Sequence, residues 1–286
     1  MKSAFLTIAI PTYNRGLVLY SLLESIFDGL NCDIEVLVCD NNSSDNTYEV
    51  CNKYLDLNQF RYFRNESNLG FDGNILSTIN HCKSDYIWFL SDDDFVTSGF
   101  FNDILIYLKK HQPVSLLLNA SVYDKDTNKL IIESLGSIDD DIVIGDDRAL
   151  IENIQWSTLI SAIILRHENI NLRDIQRFIG TCFIQLPIFW FSSHNQKIHL
   201  LGSKKIVKYN GEKDNFNLTM SEIWFKNWIT IVNCLNSKYS KSATRFAATS
   251  LYKNSKFNTT GIIFYLQSYY ASCFARYDKI RGYLRE

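Results

Sequence analysis

Three consecutive aspartates, Asp92, Asp93 and Asp94, close an apolar run in the stretch WFLSDDDFV. Like charges at the rim of a core repel one another, and a divalent cation is the ordinary way to neutralise them. Asp92 and Asp94 are two residues apart, so an extended backbone projects both to one side, where they can face the same ion. Their hard oxygen donors suit Mn2+ or Mg2+, which keeps part of its water and takes further ligands from a substrate diphosphate. The chemistry served is Lewis-acid stabilisation of a departing phosphate group. The structural alternative makes Asp94 the cap of a helix expected over 97–109. A cap accounts for one aspartate and leaves two without a purpose.

Two more polar stretches end apolar runs. IPTYNR (10–15) turns at Pro11 and opens a helix. The backbone N–H groups of that helix start, with Arg15, can meet a phosphate, while Tyr13 can stack on a base. Read alone, this is an ordinary strand-to-helix turn. CDNNSSDNT puts Asp40 at the end of the next run, where its carboxylate can accept from a ring N–H; Ser44 or Asp45 reads as the N-cap of the helix that follows. NLGFDGN holds Gly70 and Gly73 but is not G-x-G-x-x-G, so nothing here supports a dinucleotide fingerprint.

The elements that hold these stretches follow from periodicity. AFLTIAIP, DIEVLVCD, FRYFRN and DYIWFL read as buried strands. LVLYSLLESIF carries Leu19, Leu22, Leu23 and Ile26 on one helical face, and further helices are expected near 46–55 and over 73–82. Strand and helix alternating over short connections predict an α/β fold, a mostly parallel sheet flanked by helices. Ligands of such sheets gather beyond the carboxyl ends of the strands, so PTYNR, DNNSSDN and SDDD should converge. Beyond residue 114, VSLLLNASVYD and KLIIESLG read as a strand pair, SIDDDIVIGDD as an acidic loop and WSTLISAIILRHE as a strand. Residues 172–192 read as a helical run interrupted by Pro187, KIHLLGSKKIVKYNG as strand, and 220–286 as mostly helical.

Taken in order, IPTYNR, VLVCDNNSSDNT, NESNLGFDGN and YIWFLSDDD closely resemble the nucleotide-sugar-binding half of family 2 glycosyltransferases, which have the Rossmann-like GT-A fold. The resemblance covers residues 4–110 continuously and, through WSTLISAIILRHE, reaches in part to about 190. It implies that Pro11, Thr12, Tyr13, Asn14 and Arg15 hold the nucleotide, with Tyr13 near the base. Asp40 and Asn42 would lie at the base, Asn68 and Gly70 in the donor loop, and Asp92 and Asp93 against the nucleotide. Asp94, with Asp92, would ligate the metal. The finer pattern looks most like bacterial rhamnosyl- and abequosyl-type transferases of O-antigen and capsule-type glycan synthesis. The implied activity is transfer of a hexose or deoxyhexose from a UDP-, CDP-, dTDP- or GDP-linked donor to a hydroxyl of a glycan or polyprenyl-linked acceptor.

One departure matters. Many family members carry an acidic pair, often within GED, that opens a helix in the acceptor half and supplies the catalytic base. The comparable place here reads IGTCFIQL (179–186), with Thr181 and Cys182 where the carboxylates would stand. Inverting transfer needs a base near the acceptor hydroxyl. Asp174, Glu168 and Asp214 are the acidic candidates, with His194 and His199 behind them; a retaining route, in which the departing phosphate takes the proton, needs none.

Composition sets the remaining bounds. With 46% hydrophobic and 21% charged residues the chain is globular rather than disordered. Its seven cysteines are odd in number and form no C-x-x-C pair, which argues against a disulfide framework or zinc knuckle and for a reducing compartment. FLTIAIP is too short for a signal-peptide core, so the expected location is the cytoplasm. Residues 237–286 hold nine Lys/Arg against Asp278 and Glu286, interleaved with Tyr and Phe. Such a segment suits an anionic membrane, here the cytoplasmic face of an inner membrane, better than nucleic acid, which is not an expected partner. Its bland reading is a helical pair with a solvated basic face. The expected division is a glycosyltransferase domain over 1–236, with a nucleotide-sugar half (1–112) and an acceptor half (113–236), then an extension over 237–286.

Two other readings compete. IWFLSDDDFV fits the hydrophobic-D-x-D-x-[TV] signature of haloacid-dehalogenase-type phosphatases, with Asp92 as nucleophile, Asp94 as acid/base and GDD (145–147) as a later metal motif. Their nucleophile, however, follows the first strand, whereas three strands precede Asp92 here. The third reading is a catalytically lapsed sugar-nucleotide-binding protein, which the missing acidic pair would suit.

Overall fold

The computed structural model describes residues 4–210, except 28–29, 98, 125–126, 137–138 and 155, and residues 227–247, except 245–246. Asp214 and nearly all of the basic extension therefore lie outside the described residues.

The first half alternates as its periodicity predicts: β1 (Leu6–Thr12), α1 (Gly16–Phe27), β2 (Ile34–Asp40), α2 (Thr47–Asn52), β3 (Phe60–Arg64), α3 (Gly70–His81) and β4 (Tyr86–Phe89). β1 pairs in parallel with β2 and β4, and β2 with β3. After the two-residue β5 (Asp94–Phe95) come α4 (Phe100–His111), β6 (Ser115–Asp124), β7 (Leu130–Ile132), β8 (Asp141–Gly145) and α5 (Asp146–Asn153). β9 (Ile163–Arg166), α6 (Leu172–Ile175), α7 (Gln185–Ser192), β10 (Lys197–Asn210) and α8 (Trp228–Leu235) follow. One mixed sheet joins them in the order β3-β2-β1-β4-β9-β6-β10-β5, with β7 attached to β6 and β8 to β10. β9 runs antiparallel to both β4 and β6, which leaves β6 and β10 pointing the same way as β1–β4.

The alternation of side chains across the strands divides the core in two. Ile8, Ile10 and Trp88 face a layer with Leu19, Leu22, Leu23, Ile26 and Ile104 from α1 and α4. Ala9, Ile87 and Phe89 face the other, with Ile75, Ile79, Ile188, Trp190 and Trp228 from α3, α7 and α8. Each fully buried Leu or Ile of the α1 stripe contributes about 1.5–3 kcal/mol by leaving water.

Several expectations need correction. α4 starts at Phe100 behind Gly99, whose φ of 79° marks the break, and Asp94 sits in β5, so Asp94 is not a helix cap. α3 starts at Gly70 rather than 73. The acidic loop 137–147 contains β8, paired antiparallel with the first part of β10, and the first turn of α5. WSTLISAIILRHE opens with two 3-10 turns, Trp156–Thr158 and Ile160–Ala162; only Ile163–Arg166 is strand. Pro187 does not interrupt a helix. It stands third in α7, within the first turn, where its missing N–H has no intrahelical partner to lose. Among the described residues no helix is long and apolar enough to cross a membrane.

Candidate active site

At the carboxyl edge of the sheet the three polar turns are laced together by their own side chains. The Asn14 N–H donates to Ser43 Oγ at 2.8 Å, and Asn14 Oδ1 accepts from the Ser44 N–H at 2.7 Å. The Gly16 N–H donates to Asp45 Oδ2 at 2.9 Å. This contact requires glycine, since a Cβ on Gly16 would lie 2.5 Å from Asn46 Oδ1 and 2.8 Å from the Thr47 nitrogen. Asn14 and Asn42 take left-handed φ values of 53° and 66°, a conformation that asparagine tolerates better than most residues. Asn41 reaches Asn68 Oδ1 (2.7 Å) and the Gly70 carbonyl (3.1 Å), and accepts from the Leu69 N–H (2.9 Å). Buried Asn74 then ties this loop to the Cys39 carbonyl at 3.1 Å.

Asp40 is wholly buried, and its oxygens accept from the Ser43 N–H (2.9 Å) and the Tyr62 hydroxyl (2.6 Å). Arg64, at the end of β3, bonds Asn42 Oδ1 at 3.0 Å and the Ser43 carbonyl at 2.8 Å. Tyr13, on the turn after β1, is an exposed aromatic, at 38%. Pro11 pairs with Cys39 in the β1–β2 register, one residue before Thr12 pairs with Asp40.

The three aspartates are not equivalent. Asp92 Oδ2 accepts from Thr12 Oγ1 at 2.6 Å, and its Oδ1 lies 3.1 Å from Arg15 Nε. Asp93 accepts from Arg15 at 2.8 Å and from Ser91 Oγ at 2.5 Å. Asp94 Oδ2 accepts from Ser161 Oγ at 2.6 Å. Its Oδ1 is buried and accepts no hydrogen bond; Lys208 Nζ stands 3.7 Å away. Burial pushes the Asp92 carboxyl up to about 7, against the opposing pull of Arg15, and Asp94 up to about 6, against Lys208. Asp93 moves the other way: burial opposes it, but Lys208, the Ser91 hydroxyl and Arg15 together hold it below the usual carboxylate range.

A buried carboxylate oxygen without a donor is what a hard divalent cation would complete, so these residues fit Mn2+ or Mg2+. The fit is narrower than the spacing implies, because both oxygens of Asp92 are already engaged. Among the described residues no group of three His, Cys, Asp or Glu could form a cage. With the described residues alone, further ligands would be water and substrate phosphate, as Mg2+ prefers.

The base candidates are not gathered here. Glu168 follows β9, whose Arg166 pairs with Tyr86 at the start of β4, so it lies at the opposite edge of the sheet. There it lines a cavity of about 660 Å3 with Arg166 and His167. Asp174 lies 3.8 Å from Lys238, His194 stacks edge-on with Tyr239, and His199 bonds Tyr107. GDD (145–147) is also at the far edge, Gly145 pairing with Lys197 at the start of β10. A phosphatase needs that motif beside Asp92 and Asp94, so this reading finds no support.

Three residues at this edge escaped the motifs. Ser161 and Lys208 come from segments that carry no signal in isolation. Asp72, within NLGFDGN, accepts the N–H groups of Gly180 (2.7 Å), Cys182 (2.9 Å) and Ile184 (3.3 Å). Gly180 and Cys182 have φ of 90° and 57°, so the IGTCFIQL loop wraps its amides around a carboxylate from α3. Burial pushes Asp72 above the usual carboxylate range, although these N–H groups stabilise its charge.

A sheet that collects its Asn-, Gly- and Asp-rich turns at one edge is the architecture of the GT-A nucleotide-sugar transferases. The chain belongs to glycosyl transferase family 2, whose model matches residues 7–171. It is therefore a glycosyltransferase. Among curated proteins it is 28% identical over 232 residues to an abequosyltransferase of Salmonella typhimurium, covering 74% of this chain and 68% of that protein. It is 32% identical over 102 residues to the GalNAc(5)-diNAcBac-PP-undecaprenol beta-1,3-glucosyltransferase of Campylobacter jejuni, covering 35% of this chain and a third, 33%, of that protein. Among solved structures, TarS 1–349 of S. aureus in complex with UDP-GlcNAc superposes with a TM-score of 0.68 at 17% identity, over 88% of this chain and 74% of that one. At that identity the likeness is one of fold.

Proposed function

We propose that this chain transfers a hexosyl or deoxyhexosyl residue from a nucleotide-sugar to a hydroxyl of a polyprenyl-linked glycan, as a step in bacterial surface-polysaccharide assembly. The observation that carries this reading is the buried, unbonded Asp94 Oδ1 at the edge where the turns after β1, β2 and β3 meet. The name of one curated relative, an abequosyltransferase, supports a deoxyhexosyl donor, and that of the other, a glucosyltransferase of an undecaprenyl-diphosphate glycan, supports the acceptor class.

In this reading the exposed Tyr13 ring stacks on the base, beside Asp40 and Asn42, while Asn68 and Gly70 border the donor. Pro11, Thr12, Asn14 and Arg15 shape the nucleotide side, and Arg15 fixes Asp92 and Asp93 toward the ribose and phosphates. Asp94 is the ligand of Mn2+ or Mg2+, with Asp92 next to it. When bound, the cation supplies Lewis-acid stabilisation of the departing diphosphate. The donor half is residues 1–112 and the acceptor half 113–236.

The test is thermal stability against a panel of UDP, CDP, dTDP and GDP, with and without Mn2+. A nucleotide at a hundred times its Kd stabilises by about 2.7 kcal/mol, a clear melting shift. One nucleotide should shift the protein only with metal present, and that base names the donor. No shift with any of them would overturn the reading.

The basic segment 237–286 is proposed to rest on the cytoplasmic face of an anionic membrane, which brings the site to a lipid-linked acceptor. Flotation with phosphatidylglycerol liposomes should retain the whole chain and release one truncated after residue 247. Equal retention would sink the idea.

A further inference from the structure

Lys208 was not among the residues expected at the site, yet the sheet aims it there. It lies near the end of β10 and pairs antiparallel with Asp94 on one side and parallel with Val122 of β6 on the other. Its backbone is thus fixed at the edge that carries Asp94, while its side chain is 37% exposed. The ammonium stands 3.7 Å from Asp94 Oδ1, close enough to balance charge but too far for a good hydrogen bond. Two cations serve the three aspartates: Arg15 spans Asp92 and Asp93, and Lys208 opposes Asp94 while also acting on Asp93.

A divalent ion held by Asp94 would bring a second positive charge to the carboxylate that this ammonium already opposes, and the two positive charges would repel. Lysine is a compact charge on a flexible stem, so it can be redirected more readily than a planar arginine fork. What would draw it away is the negative charge that arrives with a diphosphate.

We propose that Lys208 is a displaceable counter-cation. It neutralises Asp94, disfavours metal alone, and moves onto the donor diphosphate when metal and nucleotide enter together. The site then selects the metal–nucleotide complex over free metal. This inference rests on the reading of Asp94 as a metal ligand.

The experiment titrates Mn2+ without nucleotide, by the loss of its free-ion electron paramagnetic resonance signal, into wild type, Lys208→Gln, Lys208→Met and Asp94→Asn. The nucleoside diphosphate that shifts the wild type is then titrated calorimetrically at saturating Mn2+. Both Lys208 variants should bind Mn2+ alone about tenfold more tightly, and the diphosphate with Mn2+ about tenfold more weakly. A residue that only supports the fold would weaken both. Unchanged or weaker binding of Mn2+ alone in both Lys208 variants overturns the proposal, as does unchanged affinity for the diphosphate. If Asp94→Asn binds Mn2+ and nucleotide like the wild type, the metal reading itself fails, and the Lys208 role with it.

Discussion

Asp94→Asn should lower kcat/KM for sugar transfer by about a thousandfold, some 4 kcal/mol of transition-state stabilisation. It should also abolish the metal-dependent melting shift given by the nucleotide. The same substitution should make the protein more stable in EDTA. The reason is the burial of Asp94, which is fully enclosed, with one oxygen unbonded and its carboxyl pushed up to about 6. An amide of the same shape removes a buried charge, a gain of about 1–2 kcal/mol at pH 7.5.

The sign follows from proton binding. An unfolded aspartate titrates near 3.9, whereas Asp94 and Asp92 in the folded protein titrate at about 6 and about 7. Over that interval the folded state holds more protons, so the stability from these two groups is complete below about pH 4 and is lost as pH rises through 6 and 7. Thermal melts in EDTA between pH 5 and 8 should show this fall in the wild type and a shallower one in Asp94→Asn. A variant with unaltered transfer, or with lower stability in EDTA at pH 7.5, would remove Asp94 from the role proposed for it.

Asp72→Ala should destabilise the fold by about 3 kcal/mol, the scale expected when a charged acceptor is taken from several backbone donors. Its carboxylate is the partner of the Gly180, Cys182 and Ile184 N–H groups, and it joins α3 to the loop that leads into α7. Urea denaturation measures the loss. Hydrogen exchange should find it concentrated at these three amides before the sheet is affected. A loss below about 1 kcal/mol, or exchange unchanged at Gly180–Ile184, would show that the loop holds itself.

The two substitutions separate the kinds of information in the chain. The three aspartates, the Tyr13 turn and the Asn-rich loop after β2 were legible because each is local. A strand end, a turn and a helix start occupy a dozen residues whose hydrophobic period and polar break can be read directly. The parallel order of β1–β4 follows from the same periods, and with it the convergence of their turns at one edge. The family resemblance rests on the same stretches.

What could not be read depends on partners far apart in the chain. The spacing of Asp92 and Asp94 does not reveal that Thr12 and Arg15 reach both oxygens of Asp92. Ser161 lies in a segment whose apolar content reads as strand, but it forms a 3-10 turn and its hydroxyl bonds Asp94 across a sequence separation of 67 residues. Lys208 reaches the site only because β10 runs parallel to β6 and takes β5 as its other neighbour. Glu168 and GDD failed as site candidates for the complementary reason: strand direction carries them to the far edge. Composition and period specify which segments are strands and helices. Register and direction across a mixed sheet depend on pairings between distant segments, and those pairings determine which charges meet.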